Sequence, residues 1–431
     1  MSQTHHVVIG GGIAGVSAAV AMRQAGFDGT VTVVDAEPPL PYERPPLSKA
    51  ENAEAALRPI FPEDHYARHG IELILGTPVR RLDGVRRRVE LTGGWELPAD
   101  RVLLTTGVSA RRLGTPGEEL ANIHTLRTAA DARHIFAGLD RGGPLVVVGG
   151  GFIGLEAAAV ARTAGIEVTV VEAGELPLLG PLGPAVAELV TRAHRERGVR
   201  VLTGRTVAEY AGPGAVREVV LSDGERLPAA LVIVGVGVVP NDRLALAAGA
   251  TCHGGIAVDE FGRTDHPLLW AAGDVASRVH PRTGVRERIE HWDVAMRHGA
   301  AVGASMAGRP TADDTLPFFW SDQYGKTLQM FGRGRPGDRV VLRRDATPDR
   351  FLAFWLREGR LAAVAGLDEA RTVRAARTIL DTGVPVAPEA LADPSTDLRA
   401  LARRLPRPAT VPAGGTAAAG PRTTGVADWP A

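Results

Sequence analysis

Two short glycine patterns mark where this chain could do chemistry: Gly10-x-Gly12-x-x-Gly15 and Gly149-x-Gly151-x-x-Gly154. Each follows an apolar run and opens an Ala-rich stretch, so each reads as a strand, a tight turn and a helix N-terminus. Glycines at these places permit the turn, close approach of backbone to a pyrophosphate, and close packing of helix on sheet. The helix N-terminus adds free N–H groups and a partial positive charge, which suits phosphate. Asp35 follows Gly10 by 25 residues, and Glu172 follows Gly149 by 23, each ending the next apolar strand. A carboxylate there can accept both hydroxyls of an adenosine ribose. Neither copy has lost a glycine or its acid, so two dinucleotide sites are expected. The alternative is one working site and a second copy kept as scaffold.

Other residues narrow the chemistry. Cys252 is the single cysteine, so neither an internal disulfide nor a CxxC redox pair can form. Only two of the 49 basic residues are lysines, Lys49 and Lys326; each is either a place where arginine would not serve or a chance survivor of a composition that favours arginine. Ser17 in the first helix corresponds to Glu156 in the second. Glu156 either complements the helix dipole or contacts the nicotinamide end of the second dinucleotide. The twelve histidines show no HxH or HExxH spacing, so no metal site is expected. Glu290, His291 and Asp293 cluster in sequence, but a helix there would spread them around its axis.

These residues need elements to position them, and the elements come in duplicate. His5–Gly26 with the strand TVTVVDA is matched by Pro144–Gly165 with EVTVVEA, so a βαβ unit is written twice. Shorter strands follow each unit. The apolar runs RVLLTTG (Arg101–Gly107) and LVIVGVGVVPN (Leu231–Asn241) close the two halves. Ile289–Gly308 reads as a helix with an Ala/Gly/Met packing face. Alternating strands follow (VVLRRD, FLAFWL, RLAAVAG), then a helix over Asp368–Gly383. The residues from Leu405 onward are mainly Ala, Gly, Pro and Thr and are expected to be a disordered tail.

The 431 residues call for two or three domains. With 45% hydrophobic and 23% charged residues and zero formal net charge, the chain reads as a globular protein with no pull toward nucleic acid or acidic membranes. No apolar run is long enough to span a bilayer. No basic leader precedes the first strand, so a cytoplasmic location is expected.

The paired units, PYERPPLSK (Pro41–Lys49), WAAGDVA and FFWSDQYG (Phe318–Gly325) together resemble the bacterial FAD-dependent ferredoxin reductases, the putidaredoxin-reductase and oxygenase-reductase proteins. These share a fold with glutathione reductase and apoptosis-inducing factor. The resemblance runs over residues 5 to 400 and implies roles. Gly10, Gly12, Ile13, Ala14, Gly15 and Asp35 would hold the ADP part of FAD. Lys49 would lie at the reactive edge of the isoalloxazine, and Val79 and Arg127 would line the FAD site. Asp274 would bind the ribitol, with Trp292 flanking the rings and Trp320 approaching from the C-terminal domain. Gly149, Gly151, Gly154, Glu156 and Glu172 would form the NAD site, with Phe152 where nicotinamide enters. Arg44, Thr106, Gly107, Ile153, Gly237 and Gly273 complete the cofactor-binding set, and Lys49 and Glu156 are the catalytic candidates. The plainer readings are core aromatics for Trp292 and Trp320, a helix cap for Asp274 and a surface position for Arg127. Ala173, Gly174 and Glu175 after Glu172 offer nothing obvious to a 2′-phosphate, so NADH is expected over NADPH.

The expectation is therefore a glutathione-reductase-like α/β fold. A FAD-binding domain (1–112 and 242–317) is split by an inserted NAD-binding domain (113–241), and a small α+β domain (318–404) follows. The implied activity is hydride transfer from NADH to FAD, then single electrons to an acidic iron–sulfur carrier, a ferredoxin or rubredoxin serving a cytochrome P450 or dioxygenase. The molecule would be a monomer or weak homodimer. The alternatives are an NAD-sensing flavoprotein without turnover, and an oxidase or disulfide reductase of the same fold, which the single Cys disfavours. A basic surface is expected near the flavin from Arg333, Arg335, Arg339, Arg343 and Arg344, with Arg288 and Arg297 on the preceding helix.

Overall fold

The structure, a computed structural model, describes residues 4–282 and 284–406. The first strand, His5–Ile9, sits in the middle of a five-stranded sheet in the order Leu269–Ala271, Arg101–Leu104, His5–Ile9, Thr30–Val34, Ile71–Ile74. All its pairings are parallel. Its strands are mostly apolar because both faces are covered, with His6 and Thr32 the buried polar exceptions. Val7, Ile9, Val102 and Leu104 enter one core, while Val8, Val31, Val33 and Leu103 enter another on the opposite face.

The second unit repeats this plan. Arg200–Thr203, Val168–Glu172, Leu145–Val148, Leu231–Val234 and Ile123–Thr125 form a second parallel sheet in matching order. The duplication reaches further than the βαβ units. Each half also carries a three-stranded antiparallel meander, at Val79–Pro98 and at Val207–Pro228. The edge strand Leu269–Ala271 of the first sheet comes from beyond the second unit, so the chain leaves the first half, builds the second and returns. The run LVIVGVGVVPN is two strands rather than one. Leu231–Val234 belongs to the sheet, and after a break at Gly235–Gly237, Val238–Pro240 pairs antiparallel with Val108–Ala110. That crossing ties the two halves together.

The helix Ile13–Gln24 is buried from Ala14 to Met22 because it lies between its sheet and the helix Trp292–Met306. The second helix approaches through glycines: a Cβ on Gly299 would lie 2.1 Å from the Ala14 carbonyl oxygen, and one on Gly303 would lie 2.2 Å from that of Ala18. This helix starts at Trp292, later than its sequence pattern indicates, so Glu290 and His291 precede it rather than wrap around it.

The C-terminal sheet is antiparallel, in the order Phe318–Gln323, Lys326–Gly332, Arg360–Leu367, Phe351–Arg357, Arg339–Leu342. Helix Ala370–Thr382 covers one face through Val373, Ala376, Ile379 and Leu380. The other face, including Phe351, Ala353 and Trp355, shares a core with the helix Leu179–Glu196 of the second unit. Leu405 packs on the C-terminal core, and the remainder of the expected tail, 407–431, lies outside the described residues. Among the described residues, no helix is long and apolar enough to cross a membrane.

Candidate active site

A cavity of about 410 Å³ opens between the first unit, the second unit and the C-terminal sheet. One end is the first glycine turn. Gly10 has φ +113°, and a Cβ there would meet the Thr105 carbonyl oxygen at 2.3 Å, so no other residue fits. Gly149 has the same conformation against Gly235 in the second unit. Gly12 ends the turn as the N-cap, with no side chain capping the helix and nothing within 4 Å of where a Cβ would stand, which leaves N–H groups facing open space. That is the shape a pyrophosphate needs. Gly15 lies beneath the turn, against the Gly10 carbonyl, rather than on the cavity wall.

Asp35 faces this turn. One of its oxygens accepts from Gly11 N–H at 2.7 Å and the other from Glu37 N–H at 3.0 Å. Burial raises its pKa, and the two N–H donors oppose that. Glu172 repeats the arrangement with Gly150 N–H at 2.7 Å and Gly174 N–H at 2.6 Å. Each acid is thus held beside its own turn. Gly149, Gly151, Gly154 and Glu172 lie outside this cavity wall, Gly154 beneath its turn against the Gly149 carbonyl as Gly15 is beneath the first, while Phe152, Ile153 and Glu156 of the same helix reach into the shared cavity.

Two guanidinium groups line the middle of the cavity. Arg44 bonds Glu37 at 2.8 Å, the Tyr42 hydroxyl at 3.2 Å and the Arg127 carbonyl at 2.5 Å. Arg127 bonds Asp274 at 3.2 Å, and is a cavity residue rather than a surface one. Asp274 follows Gly273, whose φ of +74° brings the short 3₁₀ turn against Ala14. Thr106 and Gly107 lie where the halves cross, with Thr106 and Asn241 bonded twice, at 2.7 and 2.9 Å. Gly237 flanks that crossing, outside the cavity wall. Val79 opens the first meander opposite Leu91 and packs into the core below the sheet, away from the cavity.

At the far end, Lys49 Nζ lies 2.9 Å from Glu156 Oε1, 3.4 Å from Asp322 and 5.6 Å from the Trp320 ring centroid. Ser48 and Ser321 each place a hydroxyl 2.5 Å from the Glu156 carboxylate. Glu156 is 4% exposed, and a carboxylate so buried needs such partners. Phe152, His291, Trp292, Phe319 and Trp320 surround this end. Phe319 packs 4.8 Å from both Phe152 and His291, and Trp292 lies 5.9 Å from Trp320. Burial, with Arg333 nearby, pushes His291 down to about 4 and so keeps it neutral. His291 Nδ1 and Trp292 Nε1 are buried without a partner.

Sequence reasoning missed Glu37, Tyr42, Ser48, Asn241, His291, Phe319 and Ser321. Ser48, Phe319 and Ser321 stand next to singled-out residues, within the PYERPPLSK and FFWSDQYG segments. Tyr42 lies in PYERPPLSK as well, and His291 in the Glu290–Asp293 cluster that a helix was expected to spread, while Glu37 and Asn241 carry no spacing that marks them. It also missed Arg205, whose N–H bonds the Glu172 carbonyl at 3.2 Å. The Arg205 guanidinium is occupied by Asp223 at 3.1 Å and by Glu225. Cys252 is not among the residues of the cavity wall. Among the described residues, no group of three or more His, Cys, Asp or Glu side chains could hold a metal ion.

These features fit a dinucleotide with a ring system: an uncapped helix end, an acid beside it, two guanidinium groups, then an aromatic end with unpaired ring nitrogens. The family described as pyridine nucleotide-disulphide oxidoreductase matches residues 4–299, and the domain described as reductase C-terminal matches 318–402. Rhodocoxin reductase from Rhodococcus erythropolis is 39% identical over 407 residues, covering 92% of this chain and 94% of its own. The ferredoxin reductase component of chlorobenzene dioxygenase from Cupriavidus is 36% identical, covering 93% and 98%. Putidaredoxin reductase, solved in covalent complex with putidaredoxin, superposes with a TM-score of 0.90 at 34% identity, covering 94% of this chain and all of that one. The chain belongs to the pyridine nucleotide-disulphide oxidoreductase family, in the branch that carries the reductase C-terminal domain, and is an oxidoreductase whose cofactors are FAD and NAD(H).

Proposed function

We propose that this chain is a cytoplasmic NADH-dependent reductase that delivers single electrons to a small acidic iron–sulfur carrier, a ferredoxin or rubredoxin, serving a cytochrome P450 or an aromatic-ring dioxygenase. The observation that carries the proposal is the convergence of both units on one cavity, with Lys49 and Glu156 paired where they meet. The names of the relatives, ferredoxin reductase components of dioxygenase systems among them, support the same assignment.

Bound FAD supplies the conversion between two-electron and one-electron transfer. The protein supplies the rest. The first glycine turn and Asp35 would hold the adenosine and pyrophosphate, with Arg44 and Arg127 opposite the phosphates and Asp274 toward the ribitol. Glu172 would hold the ribose of NADH, and Phe152 and Ile153 would guide its nicotinamide to the aromatic end. Lys49, held by Glu156 and Asp322, would place a positive charge where reduction of the bound FAD adds negative charge. The aromatic side chains exclude water from the transfer.

The test is an anaerobic titration of the FAD-loaded protein. It should be yellow, with one noncovalent FAD per chain, and NADH should bleach it. An oxidised two-iron ferredoxin or rubredoxin should then restore the colour. A protein that cannot be loaded with FAD, or that NADH does not bleach, would overturn the assignment.

A further inference from the structure

The segment Phe318–Gly325 contributes more than its cavity aromatics. Glu156, paired with Lys49, is a carboxylate, and a carboxylate only accepts hydrogen bonds. Ser321 Oγ, 2.5 Å from Glu156 Oε1, must therefore donate to it. Ser321 Oγ then accepts from Gln323 Nε2 at 3.1 Å. This turns Gln323 Oε1 toward His194 Nε2 at 2.8 Å, so that nitrogen carries the proton. His194 Nδ1 is left as an acceptor for the Tyr324 hydroxyl at 2.8 Å. The four bonds run in one direction, from Tyr324 through His194, Gln323 and Ser321 to Glu156, and no proton in the series is free to choose.

The series crosses the molecule. His194 is fully buried on the helix Leu179–Glu196 of the second unit, while Ser321 and Gln323 belong to the C-terminal sheet. Burial pushes His194 down to about 4, so it is neutral at ordinary pH, as the series requires. Tyr324 sits at φ +55° in the two-residue turn before Lys326, with Gly325 at +72°. A bulky aromatic is rare in that conformation, where Asn or Gly is usual. Tyr324 is held there by the bond to His194, by ring contact with it at 5.0 Å, and by Arg197 at 4.7 Å from the ring centroid. A strained residue held in place by several contacts points to a function served.

We infer that Ser321, Gln323 and His194 are positioning residues that fix the Glu156 carboxylate, and through it Lys49, for hydride transfer from the nicotinamide. The inference rests on the role given above to Lys49 and Glu156. The test is anaerobic stopped-flow reduction of the FAD-loaded protein by NADH, followed by loss of yellow absorbance. Ser321→Ala should lower the limiting rate by roughly 10- to 100-fold, as expected for losing a hydrogen bond to a charged group. The NADH concentration giving half the limiting rate should change less. Gln323→Glu keeps the shape and the acceptor for His194 but offers Ser321 no donor, and should also slow reduction several-fold. The double variant Ser321→Ala with Glu156→Gln should be no slower than Glu156→Gln alone, because both changes act at one carboxylate. FAD content and thermal midpoint identify any variant that misfolds, and Gln323→Glu carries the test if Ser321→Ala does. Wild-type rates in FAD-loaded Ser321→Ala and Gln323→Glu, or additive effects in the double variant, would overturn the positioning series alone. A wild-type rate in Glu156→Gln would overturn the assignment of Glu156, and the series with it.

Discussion

Glu172 and Cys252 show how far single residues determine the chemistry. Both Glu172 oxygens accept from backbone N–H groups of its own loops, so the carboxylate is fixed beside its glycine turn, where the proposed function puts the adenosine ribose of NADH. A 2′-phosphate there would meet that charge, and Arg205 beside it is already occupied by Asp223 and Glu225. A like-charge penalty of about 1.5–3 kcal/mol corresponds to roughly 10- to 150-fold preference for NADH over NADPH. Glu172→Ala should narrow that ratio, measured as the two kcat/KM values, and equal use of both cofactors by the wild type would refute the role. Burial and the nearby Asp242 and Asp265 push the Cys252 thiol up to about 11, so little thiolate exists at neutral pH. Cys252→Ser should keep NADH-driven acceptor reduction within a few-fold, and complete loss in a folded, FAD-loaded protein would return thiol chemistry to consideration. At this scale the sequence was readable where function requires a spacing. Asp35 and Glu172 follow from strand length after a glycine turn. Glu37 and Asn241 reach the cavity only because separate segments converge, and no local pattern marks such residues.

Elements were readable where burial imposes a period or forbids side chains. The parallel strands are apolar because both faces are covered, and the Ala/Gly face of the Trp292–Met306 helix reflects its contact with Ala14 and Ala18. Helix starts were less readable, since the residues before Trp292 are compatible with helix and only the cavity wall sets the boundary. The same close packing buries histidines. His6 is stacked on Phe27, His194 lies beneath Tyr324, and His298 accepts from Gly273 N–H at 3.3 Å. Burial lowers these histidines from 6.5 to about 4, about 4 and about 3. Below pH 6.5 the unfolded chain therefore binds protons that the folded chain does not. Stability should fall as pH falls from 6.5 toward 4, by up to about 1.4 kcal/mol per pH unit for each such histidine. Thermal midpoints of the FAD-loaded protein between pH 7.5 and 5 would measure this. His298→Gln can still accept from Gly273 and should flatten the slope, whereas a midpoint independent of pH over that range would refute the account.

At the scale of the whole molecule, the duplicated unit was visible in the sequence itself, whereas the sharing of one cavity by its two copies and the C-terminal sheet came only through the family resemblance, which brought Phe152 and Trp320 toward one flavin. That sharing depends on the return strand Leu269–Ala271 and on the crossing of Val108–Ala110 with Val238–Pro240. Topology also redistributes the basic cluster. Arg333 lies near the cavity, bonded to Glu287 at 3.1 Å and felt by His291. Arg339 lies on the strand at the opposite edge of the C-terminal sheet from Phe318–Gln323, four strand spacings and so roughly 19 Å away. Arg343 is bonded to carbonyls of Pro394 and Thr396, at 3.3 and 2.8 Å, beyond the same edge strand. Arg297 is neutralised by Asp293 within the helix, and Arg288, which precedes that helix, by Glu290. The basic face expected from the sequence is therefore divided, and an acidic carrier docking near the cavity would be steered by Arg333, whose side chain stays 59% exposed beside Glu287 where those of Arg288 and Arg297 are mostly covered, and by the exposed Arg335 rather than by the whole set. Screening limits exposed charges to about 8 Å at physiological ionic strength. Charge reversal at Arg333 and Arg335 should raise the KM for ferredoxin and weaken its dependence on salt, while NADH-driven bleaching keeps its rate. Reversal at Arg339 should leave the KM for ferredoxin within about two-fold, because a site more than two screening lengths away contributes little to steering. Ferricyanide reduction, which needs no shaped docking surface, should be less sensitive to salt than ferredoxin reduction. If Arg339 reversal weakens ferredoxin as much as the Arg333 and Arg335 reversals do, the carrier docks across the far edge of the C-terminal sheet, and electrons reach it by a route that does not end at the aromatic end of the cavity.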